Sequence, residues 1–258
     1  MSNNLSSNSP PGNRASSQTS QTANEHNNHA RTNSILNALS DTELDKIASK
    51  LRPFQLEVGK VLYEPDDEID YVYFPTSGVI SLLAAFADGT TVEAGVIGTE
   101  GMAGTPVVLG ARSTPHQALV QIKGQALRMS ARELKTEAEN DGVLLKSMLR
   151  YTNAMFVQVA QTAACNRLHS VEQRLARWLL LSHDRANGDE FDLTQEFMSR
   201  MLGVRRAGVS VAANQLREIG AIDYRRANVR VLDRPLLERT SCECYQIVKA
   251  EYDQSLKS

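Results

Sequence analysis

Two adjacent arginines, Arg205 and Arg206, stand where the sequence predicts that a helix begins. The amino end of a helix carries partial positive charge, so a cation there costs from a few tenths to about 1 kcal/mol. A local rule that is broken in this way often marks a functional position. A phosphate group or the edge of a guanine base would supply the missing negative partner. Residues 193 to 220 are therefore a candidate nucleic-acid-binding segment.

The surrounding residues have the pattern of two short helices joined by a tight turn. Thr194 is a predicted N-cap, because its hydroxyl can accept a hydrogen bond from a free backbone N–H. Gly203 permits the positive φ that a sharp turn between helices often needs. The second helix is predicted over 205–219 and ends at Gly220. Its predicted inward residues are Val209, Ala213, Leu216 and Ile219.

The outward side of the second helix supplies candidate DNA contacts, because a helix-turn-helix delivers the first turns of that helix to the major groove. We predict that Arg206 reads a base edge. We predict phosphate contacts for Arg205, Arg225 and Arg226. The full set of candidate DNA-binding residues is Thr194, Arg205, Arg206, Ala207, Ser210, Val211, Asn214, Arg225 and Arg226. The alternative is an ordinary two-helix corner with solvated arginines.

A basic hairpin is predicted directly after the second helix. Residues 221–232 alternate as two strands with a turn at Ala227-Asn228, where asparagine tolerates the left-handed conformation. From residue 192 to residue 239 there are nine arginines and six acidic residues, so this segment is +3 while the whole chain is −2. Local positive charge on a mildly acidic protein is typical of a DNA-binding domain.

The helix-turn-helix, the hairpin and the Leu-Asp-Arg-Pro-Leu-Leu-Glu run at 232–238 resemble the C-terminal domain of Crp/Fnr-type transcription regulators. The Ser-Cys-Glu-Cys-Tyr run at 241–245 is similar to a variant in one branch of that family. The resemblance implies a winged helix, a homodimer on palindromic double-stranded DNA, and RNA polymerase as a further candidate partner. It extends more weakly over residues 34 to 192. Only Arg206 matches the founding regulator's base-reading positions, where Ala207 and Val211 replace a Glu and an Arg, so we expect a different operator.

Upstream of residue 140 the sequence consists of short apolar segments separated by Gly, Pro or Asp. Residues 34 to 51 suit short amphipathic helices, with Ser40 and Glu43 as a capping box. Strand-like segments span 54–58, 60–63, 71–74, 79–86, 91–97, 118–122 and 125–129. Many short strands at close spacing favour a β-sandwich or jelly roll, which is also the sensor domain that the resemblance implies.

The resemblance places a ligand site in this domain, and the residues at the matching positions are Gly101, Met102, His116 and Gln117. In the family pattern a Glu binds the ribose and an Arg neutralises the cyclic phosphate. Met102 stands in place of that Glu and His116 in place of that Arg, which removes several kcal/mol of charge-assisted hydrogen bonding. We therefore expect no cyclic AMP binding, and the small-molecule effector is unidentified. Glu100 and Arg112 could substitute from shifted positions, another ligand could occupy the pocket, or side chains could fill it.

A long helix is predicted from Val143 to about Ala164, because apolar residues recur at steps of three and four. The stripe consists of Leu145, Met148, Leu149, Thr152, Met155, Phe156, Val159 and Ala163. It suits a coiled-coil seam between two subunits, and a core helix packed on the β-domain is the alternative. One helix can form the seam with one face and pack on the β-domain with the neighbouring face. A hinge is predicted near Asn166, followed by helices over 171–183 and 245–256.

The predicted fold class is α+β: a β jelly-roll sensor domain, a long dimerisation helix and a C-terminal winged helix-turn-helix domain. The predicted boundaries are 1–33 for a polar disordered tail, 34–140, 141–166 and 167–258. The predicted function is sequence-specific transcription regulation by a homodimer, modulated by an unidentified signal at the jelly roll. The alternative is a cyclic-nucleotide or other small-ligand sensor module whose helix-turn-helix mainly contacts protein.

Three cysteines, Cys165, Cys242 and Cys244, do not make a disulfide framework, and the last two are too close for a comfortable bridge. Metal or redox sensing is one alternative; we predict structural or incidental thiols, with no metal site and no cofactor.

His116 is the only histidine among the predicted strands, and there is no glycine-rich phosphate loop with lysine, so we expect no enzyme. No apolar run approaches about 20 residues and no signal peptide is visible, so we expect a cytoplasmic protein with no membrane partner.

Overall fold

The computed structural model describes residues 27–140, 142–186, 188–225 and 227–255. The predicted disordered tail lies outside the described residues as far as residue 26. The prediction is wrong for residues 27–33, where Ala30 and Asn33 are fully buried. The Asn33 side-chain amide donates hydrogen bonds to the carbonyl oxygens of Pro75 (3.0 Å) and Gly101 (2.8 Å). Polar bonds to the β-domain anchor this segment, and its low apolar content therefore does not make it disordered.

Two short helices follow the anchor, α1 at Ser34–Asn37 and α2 at Asp41–Ala48. The predicted capping box begins α2: the Ser40 N–H donates to Glu43 Oε2 (2.7 Å), and the Glu43 N–H donates to Ser40 Oγ (3.3 Å). Leu44 and Ile47 of α2 are buried. The amphipathic pattern of α2 therefore attaches it to the core of the β-domain.

Before residue 131 the described chain forms two antiparallel sheets. The strands are β1 Arg52–Leu56, β2 Val61–Tyr63, β3 Tyr71–Pro75, β4 Val79–Ala85, β5 Thr91–Ile97, β6 His116–Ile122 and β7 Gly124–Ser130. One sheet has the order β1-β7-β3 and the other the order β2-β6-β4-β5. Each strand lies within two residues of its predicted bounds. Together they make the predicted jelly roll.

Three helices follow or interrupt these strands: α3 Thr105–Val108, α4 Ala131–Asn140 and α5 Gly142–Leu168. One side of the long α5 is buried on the β-domain, with Met148, Tyr151 and Met155 in the core. Leu149 and Phe156 of the same predicted stripe face solvent. The chain bends at His169-Ser170, because α5 runs past the hinge predicted near Asn166 and Ser170 caps the next helix.

The C-terminal domain combines five helices with a small antiparallel sheet of order β8-β10-β9. Its elements are α6 Val171–His183, β8 Glu190–Asp192, α7 Gln195–Leu202, α8 Arg206–Glu218, β9 Ile222–Arg225, β10 Asn228–Val231, α9 Arg234–Thr240 and α10 Cys244–Ser255. The short strand β8 was not predicted from the sequence. The final helix α10 packs back along α5, where the Asn153 amide donates to Glu251 Oε1 at 2.7 Å.

The fold is thus a mixed α and β structure in which a jelly roll precedes a winged helix-turn-helix, and this fold class is confirmed. The apolar core continues from one part into the other, with Phe74 and Trp178 in the same buried cluster. Among the described helices, none combines the length and the apolar character that crossing a membrane requires.

Candidate nucleic-acid interface

The turn between α7 and α8 forms as predicted. Thr194 caps α7 by accepting a hydrogen bond at Oγ1 from the Phe197 N–H at 3.0 Å. Gly203 ends α7 with φ +62° and ψ 38°, a left-handed conformation that costs other residues about 1–2 kcal/mol. Gly220 likewise follows α8 with φ +81°. The capping role of the Thr194 hydroxyl is therefore assigned, and its contact with DNA stays a prediction.

The first turns of α8 present a solvent-exposed face. Its exposed predicted residues are Arg205, Arg206, Ala207, Val211 and Asn214. Val209, Ala213 and Leu216 are buried as predicted, whereas Ile219 is 46% exposed, so its inward placement is wrong. Ile219 is the C-cap residue of α8 and still has helical φ and ψ, so the helical pattern gave its position on the helix but not its exposure.

Gln195 joins the start of α7 to this face, and its role was not visible from the sequence. Its Oε1 accepts a hydrogen bond from Ser210 Oγ at 2.8 Å and lies 3.5 Å from Arg206 Nε. Ser210 is half-buried, so this bond fixes its hydroxyl. The glutamine therefore orients two of the predicted contact residues across the turn.

Among the described residues, the charges at the start of α8 have no acidic counterpart. No described Asp or Glu forms an ion pair with Arg205, Arg206 or Arg217 of this helix. The N-cap residue Arg205 provides no side-chain hydrogen bond to the helix. Two guanidinium groups consequently reinforce the positive end of the α8 dipole, and the surface there favours an anion.

The predicted wing is formed by β9 and β10, which pair antiparallel with Asn228 opposite Arg225. The left-handed residue in its turn is Ala227 (φ +68°), so the assignment of that role to Asn228 is wrong. Arg225 Nε lies 3.1 Å from Asp223 Oδ2, and both groups remain partly exposed. Arg226 lies outside the described residues. An exposed ion pair of this kind contributes at most about 1 kcal/mol, so Arg225 can exchange Asp223 for a phosphate.

The helix-turn-helix packs on the jelly roll through its turn. A methyl group at Gly203 would lie 3.0 Å from Cγ2 of Val92 on β5, so the Gly203 backbone lies close to the Val92 side chain. Arg200 Nη2 donates to Thr91 Oγ1 at 3.3 Å. The hairpin of β4 and β5 therefore touches the turn that leads into α8.

A second contact between the domains is polar and buried. The Trp178 indole N–H of α6 donates to Glu93 Oε1 of β5 at 2.7 Å, and Ser81 Oγ lies 2.7 Å from Glu93 Oε2. Ser81 Oγ also lies 2.8 Å from Gln121 Oε1, and the Gln121 amide donates to Ser182 Oγ at 3.0 Å. Burial raises the pKa of Glu93 to about 7. This chain of hydrogen bonds links the sheet of the jelly roll to the first helix of the C-terminal domain.

The predicted ligand residues of the jelly roll lie close to other side chains. Met102 is fully buried, and the ring of Tyr151 from α5 lies over Gly101, where a methyl group would meet Cε2 at 1.9 Å. His116 Nδ1 lies 3.0 Å from Thr114 Oγ1, and the Gln117 amide donates to Glu64 Oε2 at 2.6 Å. Side chains occupy the space beside Gly101, and the role of all four residues in ligand binding stays a prediction.

Two charged residues could replace the missing Glu and Arg of the family's cyclic-nucleotide site, and both have other partners. Glu100 Oε1 accepts a hydrogen bond from Arg185 Nε at 2.7 Å, and both side chains are nearly buried. Arg112 forms an exposed ion pair with Glu68. Glu100 therefore joins the jelly roll to the end of α6, and Arg112 lies on the surface.

Comparison with known proteins agrees with this architecture. Residues 173–240 match the model of the Crp-like helix-turn-helix domain. FixK2 from Bradyrhizobium japonicum is 17% identical with a TM-score of 0.64, and the match covers 74% of this chain and 98% of FixK2. A CRP-family transcriptional regulator from Thermus thermophilus is 18% identical with a TM-score of 0.61, covering 74% of this chain and 96% of that protein. No curated protein sequence matches the chain. The chain therefore carries a Crp-like helix-turn-helix domain and has the architecture of the Crp/Fnr-type transcription regulators.

Proposed function

We propose that this chain regulates transcription as a homodimer that binds a palindromic operator, with α8 in the major groove. The observation that carries the proposal is the exposed start of α8, where Arg205 and Arg206 have no described acidic partner. Such a surface is a preformed anion site on a helix of the size that the major groove admits. The Crp-like domain over residues 173–240 supports the same function.

The residues of this face have distinct proposed roles. Arg206 reads a base edge, because Gln195 orients its guanidinium group beside Ser210. Ala207 and Val211 lie one helical turn apart and are exposed, so their methyl groups suit thymine methyls. Arg205 and the wing residues Arg225 and Arg226 contact phosphates, and Asn214 and Thr194 complete the surface.

The dimer interface proposed here is the exposed apolar side of α5. Leu149, Phe156 and Ala163 are exposed and follow one another at intervals of seven residues. Phe156 alone is 71% exposed, an unusual position for an aromatic side chain in the middle of a helix. Apolar residues that recur every seven positions are typical of two helices that wind around each other. The occupant of this face is therefore a second copy of α5.

The signal enters at the jelly roll and reaches the DNA-binding domain by two routes. A ligand that settles beside Gly101, Met102, His116 and Gln117 must displace the Tyr151 ring and so shift α5. The contacts of β5 with Gly203 and Trp178 then transmit a change in the sheet to the turn and to α6. The movement is a rotation about the bend at His169-Ser170. The effector is a small molecule that the site residues do not identify.

The experiment that tests this function is selection of binding sites from random duplex DNA with the full chain at physiological salt. We expect a palindrome whose half-sites lie one helical turn, about 34 Å, apart. Affinity should fall steeply with salt, because phosphate contacts release counterions. Enrichment of no sequence, together with salt-independent or absent DNA binding, would favour a sensor module that uses its helix-turn-helix to contact protein.

The assignment of Arg206 has its own test. Arg206→Ala should weaken binding by about 1–3 kcal/mol and relax the selected sequence at one base pair of each half-site. Arg217→Ala is the matched control, because Arg217 is exposed on the same helix but lies about 16 Å further along its axis. The control should keep the wild-type sequence preference. Relaxation in the control but not in Arg206→Ala would contradict the proposed orientation of α8.

A further inference from the structure

A buried cluster of three thiols and one imidazole lies where α5 ends and α10 begins. Its members are Cys165, His169, Cys242 and Cys244. The three sulfur atoms and a ring nitrogen all lie within 4.8 Å of one another. The thiols are at most 4% exposed. No metal site was predicted from the sequence, where Cys165 is 77 residues from Cys242, and the fold brings the two together.

Two of the distances between these atoms match those of a tetrahedral metal site. Cys165 Sγ lies 3.5 Å from Cys242 Sγ, and Cys244 Sγ lies 3.5 Å from His169 Nδ1. Four ligands around zinc, with Zn–S near 2.3 Å and Zn–N near 2.0 Å, stand about 3.5–3.8 Å apart. We propose that the chain binds one zinc ion in this cluster, which we call the Cys₃His site.

The imidazole already has the orientation that a metal ligand needs. His169 Nδ1 faces Cys244, whereas His169 Nε2 lies 3.3 Å from Glu243 Oε2. A carboxylate that accepts the second ring N–H of a ligating histidine fixes its tautomer and makes it a stronger ligand. The Gln161 amide donates to Cys244 Sγ at 3.1 Å, a bond that a thiolate accepts better than a thiol does.

The charges around the site are consistent with a bound ion. Zinc with three thiolates and a neutral imidazole carries a net charge of −1, and binding releases the three thiol protons to solvent. Arg177 is nearly buried, donates to Thr162 Oγ1 at 3.2 Å, and acts on Cys165 through its positive charge. Arg174 is also buried and lies within electrostatic range of Cys165. Neither arginine forms an ion pair with a described carboxylate, so an anionic metal centre would offset their charge.

The ligand set favours zinc over other occupants. Three cysteines and one histidine in a closed tetrahedron are a common structural zinc set, and the thiolates disfavour magnesium and calcium. A disulfide between Cys165 and Cys242 would require the sulfurs to approach to about 2.05 Å and would leave Cys244 and His169 without a function. One bound ion would use all four side chains together.

The site spans the bend between the two halves of the molecule. Cys165 lies in the last turn of α5 and His169 directly follows that helix, while Cys242 lies between α9 and α10 and Cys244 is the first residue of α10. Zinc would therefore fasten the end of the long helix to the C-terminal domain at the point where the chain turns at Ser170. Binding would stabilise the folded chain by linkage.

The test is a titration of the reduced, chelator-stripped full chain with Co²⁺ and then Zn²⁺. We expect one Co²⁺ per chain, with thiolate-to-cobalt charge-transfer absorption and the intense d–d bands of tetrahedral cobalt, and displacement by one equivalent of Zn²⁺. Cys244→Ser should abolish the charge-transfer band or reduce it by one thiolate. Glu243→Gln leaves all four ligands in place and should weaken binding about 10- to 100-fold while keeping the tetrahedral spectrum.

His29→Gln is the matched control, because His29 is a histidine bonded to Thr76 far from the thiols in the fold, and its titration should equal that of the wild type. The absence of a charge-transfer band in the reduced wild-type chain would overturn the proposal, even if every variant failed to fold. A cobalt spectrum without thiolate bands that is lost in His29→Gln would also overturn it, since the metal would then bind the N-terminal segment.

Discussion

Replacing Glu93 with glutamine should remove a pH dependence that the contact between the two domains carries. Glu93 is 7% exposed and receives the Trp178 indole N–H at 2.7 Å. A Ser81 hydroxyl has one proton, yet Ser81 Oγ lies within 2.8 Å of acceptors on both Glu93 and Gln121. When the Glu93 carboxyl is protonated, it can donate to Ser81, which is then free to donate to Gln121. The neutral acid therefore completes the hydrogen bonds between the domains.

The magnitude follows from the pKa of this carboxyl. Burial raises the pKa of Glu93 from 4.5 to about 7, against the hydrogen bonds from Ser81 and Trp178. The charges of Arg177 and Arg185 also oppose the rise but do not cancel it. Because the folded state holds this proton more tightly than the unfolded state, the stabilisation is complete below pH 4.5 and is lost as the pH rises to 7. The loss amounts to at most about 3 kcal/mol in the free energy of unfolding.

The chain contains one tryptophan, so Trp178 fluorescence reports directly on this contact. Urea unfolding from pH 5 to pH 8 should show a fall in stability in the wild type that Glu93→Gln lacks, since the amide does not titrate. Glu57→Gln, at an exposed position, should behave like the wild type. In the folded protein, the wild-type fluorescence should titrate with a midpoint near pH 7. An unchanged titration in Glu93→Gln would refute the assignment of the proton to this residue.

Two further predictions concern the contacts that α5 and the turn make. Phe156→Asp should convert a dimer of twice 28.4 kDa into a monomer in light-scattering measurements, while Val58→Asp, an equally polar change at an exposed site of the jelly roll, should remain a dimer. A dimeric Phe156→Asp protein would place the interface elsewhere. Gly203→Ala should cost about 1–2 kcal/mol for its left-handed backbone plus the clash with Val92, whereas Gly220→Ala, with open space around it, should show only the backbone cost. Adding Val92→Ala should remove the part of the Gly203→Ala cost that comes from the clash and leave the backbone cost. Equal costs at both glycines would contradict the close approach of the domains.

The elements of this fold could be predicted because each has a local cause. Strands β1 to β7 lie between turn signals, and Ser40 and Thr194 both cap helices through their own hydroxyls. Gly203 and Gly220 adopt the positive φ that their positions after helices require. These features depend on neighbouring residues in sequence, which is why the pattern alone identified them.

The contacts between distant segments could not be predicted in this way. Asn33 reaches Gly101 across 68 positions, and Glu93 reaches Trp178 across 85. The strand β8 has only three residues and forms because β10 lies beside it. Gln195 was invisible as a positioning residue because its partners Ser210 and Arg206 belong to the next helix. Each of these contacts depends on how whole helices and strands are arranged. The spacing of residues within one segment of the sequence does not specify that arrangement.

The long helix α5 explains how such distant contacts can act together. One face carries Tyr151 against Gly101 in the jelly roll, another exposes Phe156, and its end presents Cys165 to the C-terminal domain. A helix of 27 residues is about 40 Å long and held by continuous backbone hydrogen bonds, so displacement at one point moves the others. A ligand beside Gly101, the dimer seam and zinc at the Cys₃His site would therefore bias the same rigid element. Zinc binding should accordingly alter DNA affinity even though none of the four ligands belongs to α8, and equal affinity with and without zinc would show that the bend at Ser170 moves independently of α5.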